Sequence, residues 1–409
     1  MTRAVRGTYS ACDSATTAEA MTATLEGIRV LDFSAMVAGP YCTLQLAALG
    51  ATVVKVEPPE GDYMRGRAPL RDGHSLYFGV LNCGKQSLCI DLKKESSRAL
   101  ILELAASADV VVENFRPGVM RRLGFDWPAL AAVNPKLVYC SISGYGQSGE
   151  GAGRAAYAPI VQAASGYELA NQGYQDGLER PLKSGIFTAD YLTGVHAFGA
   201  ICAALVRRAS SGEGAYIDCA LLDAMLGMLA YEVVEAQVPQ KQRRPIYRPT
   251  RARDGFLIVM PVSPANFADM ARAAGRPDWT TDARFATHEA RVANWDALMD
   301  ELDAWAAGKS AAECEDAMTR QGVPCSRYFS VGEVIASPHA AERGLLAAAI
   351  DGAGPFQAPS PPYRMAGATG GGRVPALGEH NATVLGDFLG RSAAQIAQLE
   401  KDAVLCRPR

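Results

Sequence analysis

Asp190 stands at the start of a predicted long amphipathic helix, in the run GIFTADYLTGVHA. A carboxylate there has two readings. Asp is favoured at helix starts simply as a cap. The free N–H groups and positive dipole end would also keep it ionised and stabilise charge growing on an attacked carbonyl, the setting of a nucleophile. His196 follows six residues later, not the three or four that share a helix face, so it reads as a packing or surface histidine. The remaining histidines, His74, His288, His339 and His380, make no metal-like cluster, and the ten cysteines include no CxxC pair, so no metal site is expected. The cysteines read as free thiols of a reducing compartment. Arg65, Arg67 and Arg71 crowd one loop, either to meet a substrate carboxylate or as a solvated charged surface.

These residues must be positioned by alternating strands and helices. IRVLDF from Ile28 reads as a buried strand, PYCTLQLAALG as a helix stopped by Gly50, and TVVKVE from Thr52 as a second strand. The strand pattern returns in DVVVENF and LVYCSIS around the helical WPALAAVN, which predicts an open parallel sheet with helices on both faces. The first crossover, SAMVAGP, lacks the GxGxxG fingerprint, so NAD and FAD are not expected. After Asp190 the pattern predicts a helix to Arg208, the strand AYIDCA, and one helix over LLDAMLGMLAYEVVEA. The basic, Pro-bearing PQKQRRPIYRPTRARDG marks a junction; FLIVMPVS and about three helices between Asn266 and Gln321 follow. Beyond Ser337 the chain turns rich in Gly and Pro, a composition that predicts an irregular wrap over a neighbouring surface. The expected organisation is a tail over 1–24, a large domain over 25–225, a small domain with linkers over 226–335, and a return to the large domain over 336–409.

With 409 residues, 49% hydrophobic and 20% charged, the chain can bury two cores. A net charge of −3 argues against nucleic-acid binding. No apolar run approaches the roughly 20 residues that span a bilayer, so no membrane partner is expected. The Ser/Thr/Ala-rich start superficially resembles a transit peptide, but Asp13 and Glu19 oppose that; a disordered tail, or a start at Met21, is the preferred reading.

Five fragments, LEGIRVLDFSAMVAGPYCTLQLAALGATVVKVEPPEGD, SLYFGVLNCGKQSLCIDLK, VENFRPGVMRRLGFDW, NPKLVYCSISGYG and PALGEH, occur in one order. Together they strongly resemble the family III CoA-transferases, the formyl-CoA transferase and CaiB/BaiF type, over about Leu25 to Gly386. The resemblance implies an α/β fold: a Rossmann-like open parallel-sheet large domain, built from both chain ends, plus a smaller α+β domain, in an interlocked homodimer. It implies acyl-CoA and a small carboxylic acid as substrates, no permanently bound cofactor, and a cytoplasmic location in a bacterium, with a mitochondrial one the alternative.

By register with that family, Asp190 is the catalytic carboxylate, forming in turn a mixed anhydride and an aspartyl-CoA thioester. The resemblance places Met36, Val37 and Ala38, with Asn114, Phe115 and Arg122, around CoA, and Val37 and Tyr157 by the reacting groups. Arg122 would offer a planar guanidinium to a phosphate, and Lys85 is either a phosphate contact or a surface turn residue. The related α-methylacyl-CoA racemases carry a His–Asp pair for proton transfer where this chain has Tyr157 and Ala158, which counts against racemisation. A non-catalytic CoA-binding subunit is the other alternative, opposed by the presence of Asp190. Formyl-CoA:oxalate enzymes carry a Gly-rich small-domain loop that has no counterpart near RDGFLIVMPVSPANFA, so oxalate is disfavoured. Succinyl-CoA is the expected donor and a C4–C5 dicarboxylate such as itaconate, mesaconate, malate or citramalate the expected acceptor, with Arg65, Arg67 and Arg71 as candidate partners for the second carboxylate.

Overall fold

The computed structural model describes residues 23–175, 177–239 and 245–406. The tail expected over 1–24 lies, up to residue 22, outside them. The chain divides into two compact units, one from the described parts of Met1–Ala230 and Gly344–Arg409, the other from those of Tyr231–Arg343.

In the first unit, six strands form one parallel sheet: β1 (Arg29–Asp32), β2 (Thr52–Glu57), β3 (Gln86–Cys89), β4 (Val110–Glu113), β5 (Val138–Ser143) and β6 (Ala215–Ala220). Their order is β3-β2-β1-β4-β5-β6, with every pairing parallel. This is the doubly wound arrangement, and its strand order reverses between β1 and β4, where such sheets open a crevice for ligands. The central strands are mostly apolar and buried on both faces, with polar residues such as Asp32, Glu57 and Glu113 at their C-terminal ends, whereas the edge strand β6 is only partly covered. Val30, Val53 and Val110 enter one layer; Leu31, Val54 and Val111 enter the other.

The helices that matter to the site are α1 (Ala38–Ala48), α2 (Leu76–Asn82), α3 (Glu95–Ala106), α4 (Ala158–Ala164), α5 (Thr188–Ser211) and α6 (Asn381–Leu389). Helices α1, α4 and α5 pack in the layer holding Val30. Helices α3 and α6 cover the opposite face, so residues from the end of the chain complete a core begun at its start. Gly194 lets α5 press against α1, since a Cβ there would lie 2.7 Å from the Ala38 carbonyl oxygen.

Helix α5 corrects one expectation. At 24 residues and a mean hydropathy of 1.4 over its best window, it is long and apolar enough to cross a membrane by length and composition. Its Ala189, Thr193, Ala197, Ile201 and Leu205 are nevertheless buried at helical spacing, the stripe of a core helix. The single helix expected over LLDAMLGMLAYEVVEA is two, Leu221–Met228 and Ala230–Gln237. At Leu229 the backbone N–H is shared between the Met225 and Leu226 carbonyls, a tightened final turn. The Gly/Pro-rich end is also more regular than expected. Leu346–Asp351 and Gly354–Pro359 form an antiparallel hairpin around Asp351–Gly352–Ala353–Gly354, joined by the short strand Gly372–Arg373. Its run of small residues hides the strand alternation.

The second unit has an antiparallel sheet ordered Cys325–Arg327, Phe256–Val259, Thr250–Arg251. Four α-helices lie between Pro264 and Arg320, around a core that includes Trp279, Phe285, Leu298 and Met318.

Candidate active site

The loop from β1 to α1 is held by buried charge. The Asp32 carboxylate accepts from Ser34 N–H at 3.0 Å, Thr43 Oγ1 at 2.6 Å and Lys85 Nζ at 3.1 Å. Lys55 Nζ donates to Ser34 O and pairs with Asp62, each at 2.8 Å. Glu57 takes a forked pair of bonds from Arg65, each 2.7 Å, and another from Ser87 Oγ at 2.7 Å. Burial pushes the Asp32 carboxyl up, but Lys85 and Lys55 outweigh it and hold the group below its ordinary value. Burial also drives Lys85 down to about 8, against the pull of Asp32.

On this base the loop adopts a costly conformation. Met36 sits at φ 67°, the left-handed region that a side chain disfavours. Across the reversal point, the Asn114 amide clamps the loop by accepting from Ala35 N–H at 2.9 Å and donating to Ala35 O at 2.7 Å. Val37 is buried immediately before α1, and Ala38 is its buried first residue. The structure thus brings Met36, Val37, Ala38 and Asn114 together where β1 and β4 part.

Asp190 is the third residue of α5. Burial pushes its carboxyl up to about 7. Among the described residues no cation pairs with it and no side chain donates to it, so no side chain offsets the burial that raises its carboxyl. Two phenols flank it. Tyr191 Oη lies 3.1 Å from Tyr77 Oη on α2, and the Tyr191 ring meets Tyr41 of α1 edge-on at 4.8 Å. The Tyr77 and Tyr191 hydroxyls are held above their ordinary pKa, chiefly by burial and also by the charge of Asp190. Helix α5 has no side-chain cap of its own; buried Gln162 of α4 accepts from Ala189 N–H at 3.4 Å instead. Tyr157 directly precedes α4 and is 61% exposed.

Beside this group lies a cavity of about 520 Å³, lined by Tyr41, Leu44, Val80, Leu81, Tyr191 and Gly371 among others. Its largely apolar wall suits an acyl or pantetheine chain. The signal for Tyr191 was adjacent to Asp190 in the sequence, but Tyr41, Tyr77 and Gln162 reach the site from three other helices and carry no spacing that announces it.

The remaining candidates divide. Lys85 is fully buried and spends its ammonium on Asp32, Thr43, Pro40 O and Asn82, so it is neither a phosphate contact nor a surface turn residue. Arg65 is committed to Glu57 and Pro375 O, and Arg71 to Asp351, Gly354 O and Pro355 O, so neither is available to a substrate carboxylate. Arg67 is exposed and stacks on Tyr63 at 4.6 Å. Arg122 is exposed, has no ion pair among the described residues, and reaches the left-handed Gly118 turn. Phe115 packs against the core, its N–H donating to Glu113 at 2.9 Å. His196 is exposed on α5, and His380 pairs with β3, its N–H donating to Ser87 O at 3.0 Å. Among the described residues no group of His, Cys, Asp and Glu could hold a metal.

Residues 25–381 match the model of CoA-transferase family III. The chain is 37% identical to an acetyl-CoA:oxalate CoA-transferase of Acetobacter aceti, over 78% of this chain and 85% of that one. It is 32% identical to a succinyl-CoA–D-citramalate CoA-transferase of Chloroflexus aurantiacus, over 93% and 98%. With a succinate–glutarate CoA-transferase of Agrobacterium fabrum it shares 35% identity, over 89% and 95%. The fold matches the crystal structure of a CaiB/BaiF family protein from Brucella suis, with a TM-score of 0.77 and 33% identity, covering 90% of this chain and all of that one. Rv3272 from M. tuberculosis matches with a TM-score of 0.80 and 30% identity, covering 88% and 98%.

Proposed function

Since the chain belongs to CoA-transferase family III and is a CoA-transferase, we propose that Asp190 is the carboxylate that carries first the acyl group and then CoA. One observation supports this above the rest: a half-buried carboxylate, unpaired among the described residues and poised near neutrality, next to two phenols of which Tyr191 lines an apolar cavity. A structural cap would be expected to bond the first-turn amides, a task that falls to Gln162.

The ionised Asp190 attacks the thioester carbonyl of the donor, forming a mixed anhydride and expelling CoA thiolate. The thiolate then attacks the aspartyl carbonyl, releasing the donor acid as its carboxylate and leaving an aspartyl-CoA thioester. The acceptor carboxylate attacks that thioester, giving a second anhydride and thiolate. Attack of the thiolate on the acceptor's carbonyl yields the new acyl-CoA and regenerates Asp190. Low dielectric around Asp190 strips water from the attacking carboxylate and shields the anhydride from hydrolysis. Met36, Val37 and Ala38 hold CoA at the crevice, and Arg122 meets a phosphate.

The donor is succinyl-CoA and the acceptor a C4–C5 dicarboxylate, a reading supported by relatives named for citramalate and glutarate. Of the three loop arginines, Arg67 remains for a second carboxylate. Tyr157 and Ala158 stand where a racemase needs its His–Asp pair, which favours transfer over proton exchange. The working enzyme is a cytoplasmic homodimer. Incubating the protein with a panel of acyl-CoAs, then analysing the Asp190 peptide by mass spectrometry, tests the mechanism. An acyl or CoA adduct on Asp190 is expected; transfer without any adduct there, or α-proton exchange without transfer, overturns it. Acceptors including oxalate, succinate, glutarate and citramalate then rank the acids.

A further inference from the structure

Two cysteines far apart in the sequence, Cys89 and Cys406, face each other at the edge of the parallel sheet. Just past β3, Ile90 forms an antiparallel bridge with Leu405. That register sets Cys89 opposite Cys406, and Cys406 N–H donates to Cys89 O at 3.0 Å. The Asn381 amide fills the other half of the rung, accepting from Cys89 N–H at 2.8 Å and donating to Cys406 O at 3.2 Å. Leu88, Ile90 and Leu405 all enter the same core layer. By strand alternation Cys89 and Cys406 therefore both turn to the other side.

The Cys406 N–H to Cys89 O bond keeps the two backbones adjacent although the Asn381 amide widens the other half of the rung, and a disulfide tolerates Cα separations of about 4.4–6.8 Å. Space is provided by Gly378, where a Cβ would lie 3.0 Å from both Cys89 Cβ and Cys406 O. The thiols also sense one another: burial first, then Cys406, push Cys89 up to about 12. Both are free thiols; Cys89 is buried and Cys406 partly exposed, so a reagent meets Cys406 first.

We propose that Cys89 and Cys406 are a redox-responsive pair that small-molecule disulfides such as oxidised glutathione convert to an intrachain disulfide, fastening the end of the chain to the sheet edge. Cys406 loses its proton and attacks one sulfur of the glutathione disulfide, forming a mixed disulfide and releasing one glutathione thiolate. Cys89 then loses its proton and attacks the Cys406 sulfur, forming the internal bond and releasing the second. Two protein thiols are oxidised, one small disulfide is reduced, and the two released thiolates take up the two protons. Reduced glutathione reverses the sequence.

The full-length protein, equilibrated in glutathione buffers of rising oxidised fraction, alkylated and digested, provides the test. A cross-linked peptide joining Cys89 to Cys406 is expected, together with a rise of a few degrees in Tm over the reduced form. Cys406→Ser should show neither, while matching the reduced wild type in Tm. Glutathione retained on Cys406 without the cross-link, both thiols persisting in fully oxidised buffer, or a cross-linked protein of unchanged Tm would each overturn the proposal.

Discussion

Tyr191 and Tyr77 join hydroxyls at 3.1 Å, so the residue after Asp190 is tied to α2. That bond fixes the first turn of α5 against a helix distant in sequence. Tyr77→Phe and Tyr191→Phe should each lower kcat about 5-fold, the worth of roughly 1 kcal/mol of lost hydrogen bonding. The double variant should lose little more than either single one. Steady-state kinetics of all three test this; additive losses would mean that the hydroxyls act separately.

Asp190 makes a pH prediction whose sign is fixed by the direction of its shift. Its folded pKa near 7 lies above the usual 3.8, so the folded chain keeps a proton that the unfolded chain releases between those values. This contribution to stability is full below about pH 4 and is lost as pH rises through 7. Asp190→Asn should therefore gain in Tm relative to wild type at pH 8, and the gain should vanish toward pH 4. Wild-type transfer should rise with pH to a half-maximum near 7 if Asp190 limits it, and the variant should lose at least about 10³-fold in kcat.

Lys85 and Arg122 separate a structural cation from a binding one. Lys85→Met leaves Asp32 buried without its ammonium and should cost about 3–5 kcal/mol of stability by denaturant unfolding. Arg122→Ala should leave unfolding unchanged while raising KM for acyl-CoA about 10-fold, because a charge-assisted bond to phosphate is removed. A 3′-dephospho-CoA donor would show whether that bond is to the 3′-phosphate, because its KM would then be insensitive to the variant.

The loop arginines should behave unequally. Arg71→Ala removes the Asp351 pair and two hydrogen bonds to carbonyls, and should lower Tm. Arg67→Ala should spare Tm and narrow the preference for dicarboxylic over monocarboxylic acceptors. Equal preference ratios in wild type and Arg67→Ala would remove this arginine from the substrate site.

Gly194→Val should destabilise by more than about 2 kcal/mol, since even a Cβ would meet the Ala38 carbonyl at 2.7 Å and the Tyr41 ring at 3.1 Å. Thermal unfolding with and without CoA would show whether the displaced α1 also loses ligand stabilisation.

The parallel sheet was legible because its strands are short β-branched, largely apolar runs, and TVVKVE from Thr52 is β2 to the residue. Its order was not, because pairing is set by crossovers rather than by composition. The helix that holds Asp190 was legible through periodicity, while the role proposed for Asp190 rests on family register. The fate of the cations was hidden. Lys85, Arg65 and Arg71 have partners up to 310 positions away, and a sequence records charge without its pairing. The hairpin at Leu346–Pro359 escaped because Ala-rich strands lack alternation.

Covering one sheet face with α6 has a consequence for synthesis. Val384, Leu385 and Phe388 share a core with Leu31, Val54 and Leu88, yet leave the ribosome after every strand of the parallel sheet. A nascent chain that has reached Arg343 holds all six parallel strands with part of one face uncovered. The first unit therefore cannot complete its core until after the second has been synthesised, so the second is free to fold while the first is still open.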